Sequence, residues 1–307
     1  MKKGRDFLDL DRCDPTTLKS IIASARRLKK APLAFQPFQG QTLAMIFEKP
    51  SIRTRVSFEV GIRQLGGEAL NLTNAEIQIG QRESVADIAR LLPRYVEMIM
   101  VRTFDERHLH TLADYASVPV INGLTDQTHP CQVMADVMAA EEHLGTLAGR
   151  HVVWCGDGDN NVLNSWLHAV VAWGLRLTVI CPPELAPQPA RLEVARKAGV
   201  SVTVTSDVNA ARGGDIVLTD AWASMHHKDV ERRRELLRPY RVDAALMDKA
   251  GAASVFMHCL PAHRGEEVTD EVMDGPHSII WDEAENRLHA QKAVMCWCQG
   301  VTVPANL

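Results

Sequence analysis

The sequence has no apolar run approaching the roughly 18 residues that a membrane-spanning helix needs. Its opening stretch, Met1 to Leu10, is too polar for the apolar core of a secretory leader. Cys-x-x-Cys pairs are missing as well. The seven cysteines, at positions 13, 131, 155, 181, 259, 296 and 298, are scattered and odd in number. Only Cys296 and Cys298 stand close, and the single Trp297 between them makes poor zinc geometry. Reduced, mostly buried thiols in a cytoplasmic protein are therefore expected. There is no Walker A pattern, no low-complexity tract and no repeat with a period of roughly 20–50 residues. Nor is there a large charge excess. With 34 Lys and Arg against 38 Asp and Glu, the net charge is −4, which argues against a basic nucleic-acid-binding surface.

What remains is a globular composition, 46% hydrophobic and 23% charged over 307 residues, long enough for about two domains. Short apolar runs occur at Leu43–Phe47, Ala69–Leu72, Val96–Val101, Val118–Ile121, Val152–Cys155, Leu177–Cys181, Val202–Thr205, Asp215–Leu218, Val255–His258 and Ser278–Trp281. Amphipathic segments such as Val56–Leu65, Ser84–Leu92, Cys131–Leu144, Val162–Trp173 and Ala190–Ala198 separate them. Continuous apolar runs suit parallel strands covered on both faces. Their alternation with helices predicts α/β architecture with right-handed crossovers. His129-Pro130 ends the first series, and the helix over Cys131–Leu144 reads as a connector between two halves. The last segment, Ala284–Gln299, reads as a helix returning to the first half. The expected fold is two α/β domains, each with a mostly parallel sheet flanked by helices. One spans 1–130 together with 288–307, the other 131–287.

Several segments could carry chemistry. Phe47-Glu48-Lys49-Pro50-Ser51-Ile52-Arg53-Thr54-Arg55 follows a strand and opens a helix. There, backbone N–H groups and the helix dipole favour an anion, and the arginines and hydroxyls add donors. A capped helix with solvated arginines accounts for the same residues equally well. His129 and Gln132 stand three apart at a helix start, where both can point the same way. Arg102 emerges at a strand's C-terminal end, the functional rim of an open sheet. Gly156-Asp157-Gly158-Asp159-Asn160-Asn161 begins like a dinucleotide fingerprint, but Asn161 stands where the third glycine belongs, so NAD is rejected. Asp220 ends another strand, where an Asx turn is the ordinary explanation. His258, Cys259, His263 and Glu267 fit no zinc-finger or His-Glu-x-x-His spacing, so no metal is expected. A nucleophilic role for Cys259 would need a base that the sequence does not identify.

Together these segments say more than each alone. Ser51-x-Arg53-Thr54-Arg55, His129-Pro-x-Gln132 and His258-Cys259-Leu260-Pro261 resemble the aspartate/ornithine carbamoyltransferase family. The stretch from His258 to Val268, Asp220-x-x-x-Ser224-Met225, the Gly-Asp-Gly-x-Asn-Asn turn and the closing Glu285-Asn286-Arg287-x-His-Ala-Gln-Lys292 resemble its ornithine-using members. The similarity runs over essentially the whole chain. It implies a first half that binds carbamoyl phosphate, a second half that binds the amino acid, and an active site in the cleft between them. By resemblance, Ser51, the backbone of Ile52, Arg53, Thr54 and Arg102 hold the phosphate. Thr54, Arg102, His129, Gln132 and Arg287 face the carbamoyl group. Asn161, Asp220, Ser224 and Met225 hold the ornithine backbone, with Cys259 and Leu260 near the δ-amine. The resemblance makes Arg102, His129, Cys259 and Arg287 the catalytic set. Asn74–Glu83 shows no hydrophobic pattern to hold it to its own domain, which by itself reads as a mobile surface loop; the resemblance instead implies a homotrimer in which Gln78 reaches a neighbouring site. It implies no cofactor, and neither nucleic acid nor membrane as a partner.

Two positions depart from the family pattern: Ile52, where Thr is frequent, and His226-His227 after Met225, where Gly is usual. The nearest alternative is a sister enzyme carbamoylating putrescine or an acylated ornithine. Asp220 with Ser224-Met225 favours a free α-amino acid instead. An NAD-dependent oxidoreductase is disfavoured by the broken fingerprint, and a catalytically dead homologue by the intact Arg and His set.

Overall fold

The computed structural model describes residues 4–222 and 229–307. It comprises two compact units, Met1–Ala135 with Glu285–Leu307, and Asp136–Ala284. Among the described residues, no helix is long and apolar enough to cross a membrane.

The first unit opens with α1 (Pro15–Lys30). The Asp14 carboxylate caps it by accepting from Thr17 N at 2.9 Å, and Pro15 supplies a preset first turn. Leu18, Ile21, Ile22, Ala25 and Leu28 recur at helical spacing and form its buried stripe. There follow β1 (Thr42–Phe47), α2 (Ile52–Gln64), β2 (Glu68–Thr73), α3 (Asn74–Ile77), α4 (Val85–Leu91), β3 (Met98–Arg102), α5 (Glu106–Tyr115) and β4 (Val120–Leu124). The sheet order is β2-β1-β3-β4, and every neighbouring pair is parallel. β3 and β4 lie slightly later than their apolar runs suggest. Val96 is held in a turn by its N–H to Leu92 O, at 3.0 Å. Pro119 has no N–H for the ladder, so β4 starts at Val120. β3 runs through Arg102, which pairs with Phe47 of β1 and whose carbonyl accepts the Glu48 N–H at 2.9 Å.

The chain passes to the second unit within α6 (Pro130–Leu144), after Ala135. This unit contains β5 (His151–Cys155), α7 (Asn161–Trp173), β6 (Arg176–Ile180), α8 (Pro189–Lys197), β7 (Val202–Thr205), β8 (Ile216–Thr219), α9 (Val230–Leu237), α10 (Ala244–Ala250), β9 (Val255–His258) and α11 (Asp270–Met273). Its sheet runs β7-β6-β5-β8-β9, again all parallel. The final helix, α12 (Ile280–Cys298), starts here and belongs to the first unit from Glu285 onward.

Three expectations are corrected. Ser278–Trp281 is not a strand. Ser278 makes one isolated bridge to Phe256, and α12 begins at Ile280 with Asp282 and Glu283 in its first turn, where the helix dipole favours acids. Arg287, placed by sequence in the second half, lies in the first unit, where it donates to Thr54 and Gln132. The Asn74–Glu83 segment is anchored: Ile79 is buried in the core with Ile46, Ile88 and Leu109, and Ile77 packs against the same cluster.

Strand order reverses beside β1 in the first sheet and beside β5 in the second. In open parallel sheets, ligands bind at the C-terminal strand ends next to such a reversal. In the first unit those ends carry Glu48–Ser51 and Arg102. In the second they carry Gly156–Asn161 and Asp220, with Cys259 following the adjacent β9.

Candidate active-site residues

In the first unit, Ser51 has extended backbone (φ −160°) and caps α2, its Oγ accepting from Thr54 N at 3.3 Å. This turns Thr54 inward until it is fully buried. Its Oγ1 lies 3.2 Å from Ser51 Oγ and accepts from Arg102 Nη1 at 3.2 Å and Arg287 Nη2 at 3.0 Å. Arg287 Nη1 also donates to Gln132 Oε1 at 2.6 Å. One hydroxyl, one amide and two guanidiniums thus form a single network drawn from α2, β3, α6 and α12. Both guanidiniums bind one oxygen, so the donor nitrogens lie within about 6 Å of each other. At an effective dielectric near 20, two unit charges so placed repel by about 3 kcal/mol. An anion bound between them would relieve that repulsion.

His129 precedes α6 and is buried. Burial, reinforced by the charges of Arg287, Arg102, Arg53 and Lys49, holds its imidazole well below the usual 6.5. It is neutral at physiological pH and can donate one N–H without adding charge. Lys49 was not singled out by sequence. It lies 3.6 Å from Asp126 and 5.3 Å from the Phe104 ring centre. Ile52, the first residue of α2, is 80% exposed. As first helical residue its N–H has no carbonyl one turn back, so the backbone, not the side chain, is its polar contribution. Gln78 is exposed and left-handed (φ 40°), ending α3.

In the second unit, Asn160 rather than Asn161 organises the turn after β5. Its Oδ1 caps α7 by accepting from Val162 N at 2.7 Å, and its Nδ2 donates to Asp220 Oδ2 at 2.9 Å. Asn161 is the first residue of α7 and half-buried. Asp220 Oδ1 accepts from Ala221 N at 2.7 Å and from the Cys259 thiol at 3.2 Å. A carboxylate offers about four acceptor positions, so one is left for a further donor. Burial, with the charges of Asp220 and Glu283, pushes the Cys259 thiol well above 9. It is therefore a protonated donor, which counts against the nucleophile considered from sequence. Asp157, just before Asn160, pairs with Arg233, whose Nε also donates to Trp222 O at 3.1 Å. Burial raises the Asp157 carboxyl to about 6, with Arg233 opposing. Ser224, Met225 and His226-His227 lie outside the described residues.

The loop after β9 is held by His258. Its Nδ1 accepts from Leu260 N at 2.9 Å, which places the ring proton on Nε2, 3.2 Å from Glu267 Oε1. Leu260 is thereby fixed in a left-handed conformation (φ 57°). Asp220, His258 and Cys259 bring one ligand atom each within 4.8 Å of one another. A cation there would have to displace the thiol proton and the hydrogen bond at the His258 nitrogen it took.

Residues 5–142 match the family model described as the carbamoyl-P binding domain of aspartate/ornithine carbamoyltransferase, and residues 148–298 match its Asp/Orn binding domain. An ornithine carbamoyltransferase of Roseobacter denitrificans is 54% identical over 306 residues, covering 96% of this chain and 99% of the relative. One from Nitrobacter winogradskyi is 54% identical over 304 residues, covering 97% and 98%. The solved ornithine carbamoyltransferase from Pyrococcus furiosus superposes with a TM-score of 0.92 at 45% identity, covering 97% of this chain and 98% of that one.

Proposed function

Since the chain belongs to the aspartate/ornithine carbamoyltransferase family, we propose that it transfers the carbamoyl group of carbamoyl phosphate to the δ-amine of L-ornithine, forming L-citrulline and phosphate. The observation that carries this reading is the Arg102–Thr54–Arg287–Gln132 network beside a neutral His129. Carbamoyl phosphate is a dianion joined to a carbonyl. The cluster offers cationic donors for the first and neutral and cationic donors for the second. Ser51, the Ile52 N–H, Arg53, Thr54 and Arg102 hold the phosphate, and Gln132, Arg287 and His129 orient the carbamoyl group.

The δ-amine attacks the carbonyl carbon. Charge builds on the carbonyl oxygen, where Thr54, Arg102 and His129 stabilise it without rearranging. The carbon–oxygen bond to phosphorus then breaks, and the departing phosphate takes the amine proton. No protein base is required, which agrees with a histidine held neutral and a thiol held protonated. Much of the acceleration comes from aligning two bound reactants. Asp220 binds the α-ammonium through its remaining acceptor position, Asn161 donates to the α-carboxylate, and Ser224 and Met225 complete the amino-acid site. Cys259 and Leu260 border the δ-amine, with Cys259 orienting Asp220 rather than reacting.

We further propose a cytoplasmic homotrimer in which each Gln78 segment serves the next subunit's site. The reaction fits arginine biosynthesis or breakdown, which share this chemistry. The first unit, Met1–Ala135 with Glu285–Leu307, takes carbamoyl phosphate, and the second takes ornithine. A colorimetric citrulline assay with carbamoyl phosphate and a panel of amines tests the reading. Ornithine is expected to be carbamoylated fastest. Faster turnover of putrescine or N-acetylornithine would replace it with the sister activity.

A further inference from the structure

The imidazole of His108, on α5, stands between two segments of the proposed carbamoyl phosphate site. Its Nδ1 lies 3.3 Å from Glu48 Oε2, the oxygen that also takes the Thr103 hydroxyl. A carboxylate only accepts, so Nδ1 carries the proton. Glu48 begins the loop bearing Lys49 and Ser51, and its N–H is bound to Arg102 O at 2.9 Å. Its carboxylate is therefore a handle on both the loop and the end of β3.

Across the ring lies Gly80. A Cβ built there would sit 3.2 Å from His108 Nε2. A side chain at Gly80 would thus crowd the imidazole, and its positive φ of 76° is one that favours glycine. Gly80 follows Gln78 by two residues. Between them Ile79 is buried in the same core as Leu109, the residue after His108. One imidazole therefore meets the phosphate loop at Glu48 on one side and leaves little room for a side chain at Gly80 on the other.

We infer that His108 is a positioning residue that couples the two, so that an anion held by Ser51 and Arg53 restrains residues Gln78 to Arg82 through Glu48 and His108. An anion drawing in the Lys49–Arg53 stretch fixes Glu48. Glu48 fixes the ring plane, and the ring plane limits the freedom of Gly80. The inference rests on the site's proposed role as the carbamoyl phosphate site.

Amide hydrogen exchange over Gln78 to Arg82 tests it, read with and without carbamoyl phosphate in the wild type, His108→Asn and His108→Ala. Inorganic phosphate serves as a second probe. The Asn side chain keeps a donor where Nδ1 stood but ends short of Gly80. Both anions are expected to slow exchange about threefold or more in the wild type. His108→Asn should lose that protection while its KM for carbamoyl phosphate stays within about twofold. His108→Ala should lose the protection and raise that KM about fivefold, as loss of one hydrogen bond does. Equal protection in all three proteins, or none in the wild type, overturns the coupling. A wild type that forms no citrulline removes the proposed reaction instead, and the phosphate arm still decides the coupling.

Discussion

The Cys259 thiol donates to the Asp220 carboxylate across 3.2 Å. The pairing restrains both groups. Burial, with Asp220 beside it, keeps the thiol protonated, and the thiol, together with Asn160 and Ala221, turns the carboxylate so that one acceptor position remains among its partners in the described residues. A conspicuous cysteine is thus held as a protonated donor to the carboxylate proposed to meet the amino acid, rather than as a nucleophile.

Cys259→Ser keeps an O–H donor to Asp220, so kcat should remain within about tenfold of wild type. An obligate nucleophile would lose catalysis by orders of magnitude. Asp220→Asn removes the charge proposed to meet the α-ammonium. Loss of one partner of a buried charged pair costs about 2–5 kcal/mol, so the KM for ornithine should rise about 30-fold or more while that for carbamoyl phosphate barely moves. Steady-state kinetics with each substrate varied in turn would detect an equal rise in both, which would place Asp220 elsewhere.

Arg53→Ala should abolish measurable carbamoyl phosphate binding with the fold retained, at a similar cost of about 2–5 kcal/mol. Calorimetric titration checks this directly. Tight binding by the variant would show that Arg102 and Arg287 suffice and that Arg53 is a solvated helix residue.

How much of this was legible beforehand depended on distance along the chain. Ser51, Ile52, Arg53 and Thr54 could be read because an N-cap, helix dipole and arginines lie within five residues. That Arg287 shares an oxygen with Arg102 was not legible from spacing, since the Thr54–Arg287 pair spans 233 positions. Only the resemblance suggested it. Ser278–Trp281 misled because a short apolar run looks the same in a buried strand and in the first turn of a helix. Ile79 was overlooked because one buried side chain in a polar stretch makes no periodic pattern. The alternation of strand and helix survived such errors, because it depends on many residues and not on one.

Lys292 offers a test on stability. It is fully buried on α12, donating to Gln64 Oε1 at 2.8 Å and Leu28 O at 3.2 Å, both neutral acceptors. Burial lowers its ammonium from 10.5 to about 8. The folded-state value lies below the unfolded one, so charging the amine opposes folding. That penalty is full below about pH 8 and gone above 10.5. Stability relative to Lys292→Met should therefore rise by about 2 kcal/mol between pH 7.5 and 9.5. Urea unfolding of both proteins at the two pH values reads it, and parallel pH dependences would refute the buried-charge account.

The proposed ring makes a prediction that no isolated chain can satisfy. If each site joins Arg53 of one subunit to Gln78 of the next, the surfaces meeting at the interface differ, as in any head-to-tail ring. Arg53→Ala and Gln78→Ala each damage one contribution. Mixed under conditions that exchange subunits, they should create sites in which Arg53 comes from the second protein and Gln78 from the first. Random equal mixing makes about one site in four intact. Citrulline formation should then exceed the average of the two parents, provided Gln78→Ala alone is clearly impaired. Exchange is verified by mass spectrometry of the mixed assemblies. Activity that stays at the parental average after verified exchange would mean that each chain completes its own site. The anchored segment around Ile79 would then present Gln78 to its own subunit's arginines.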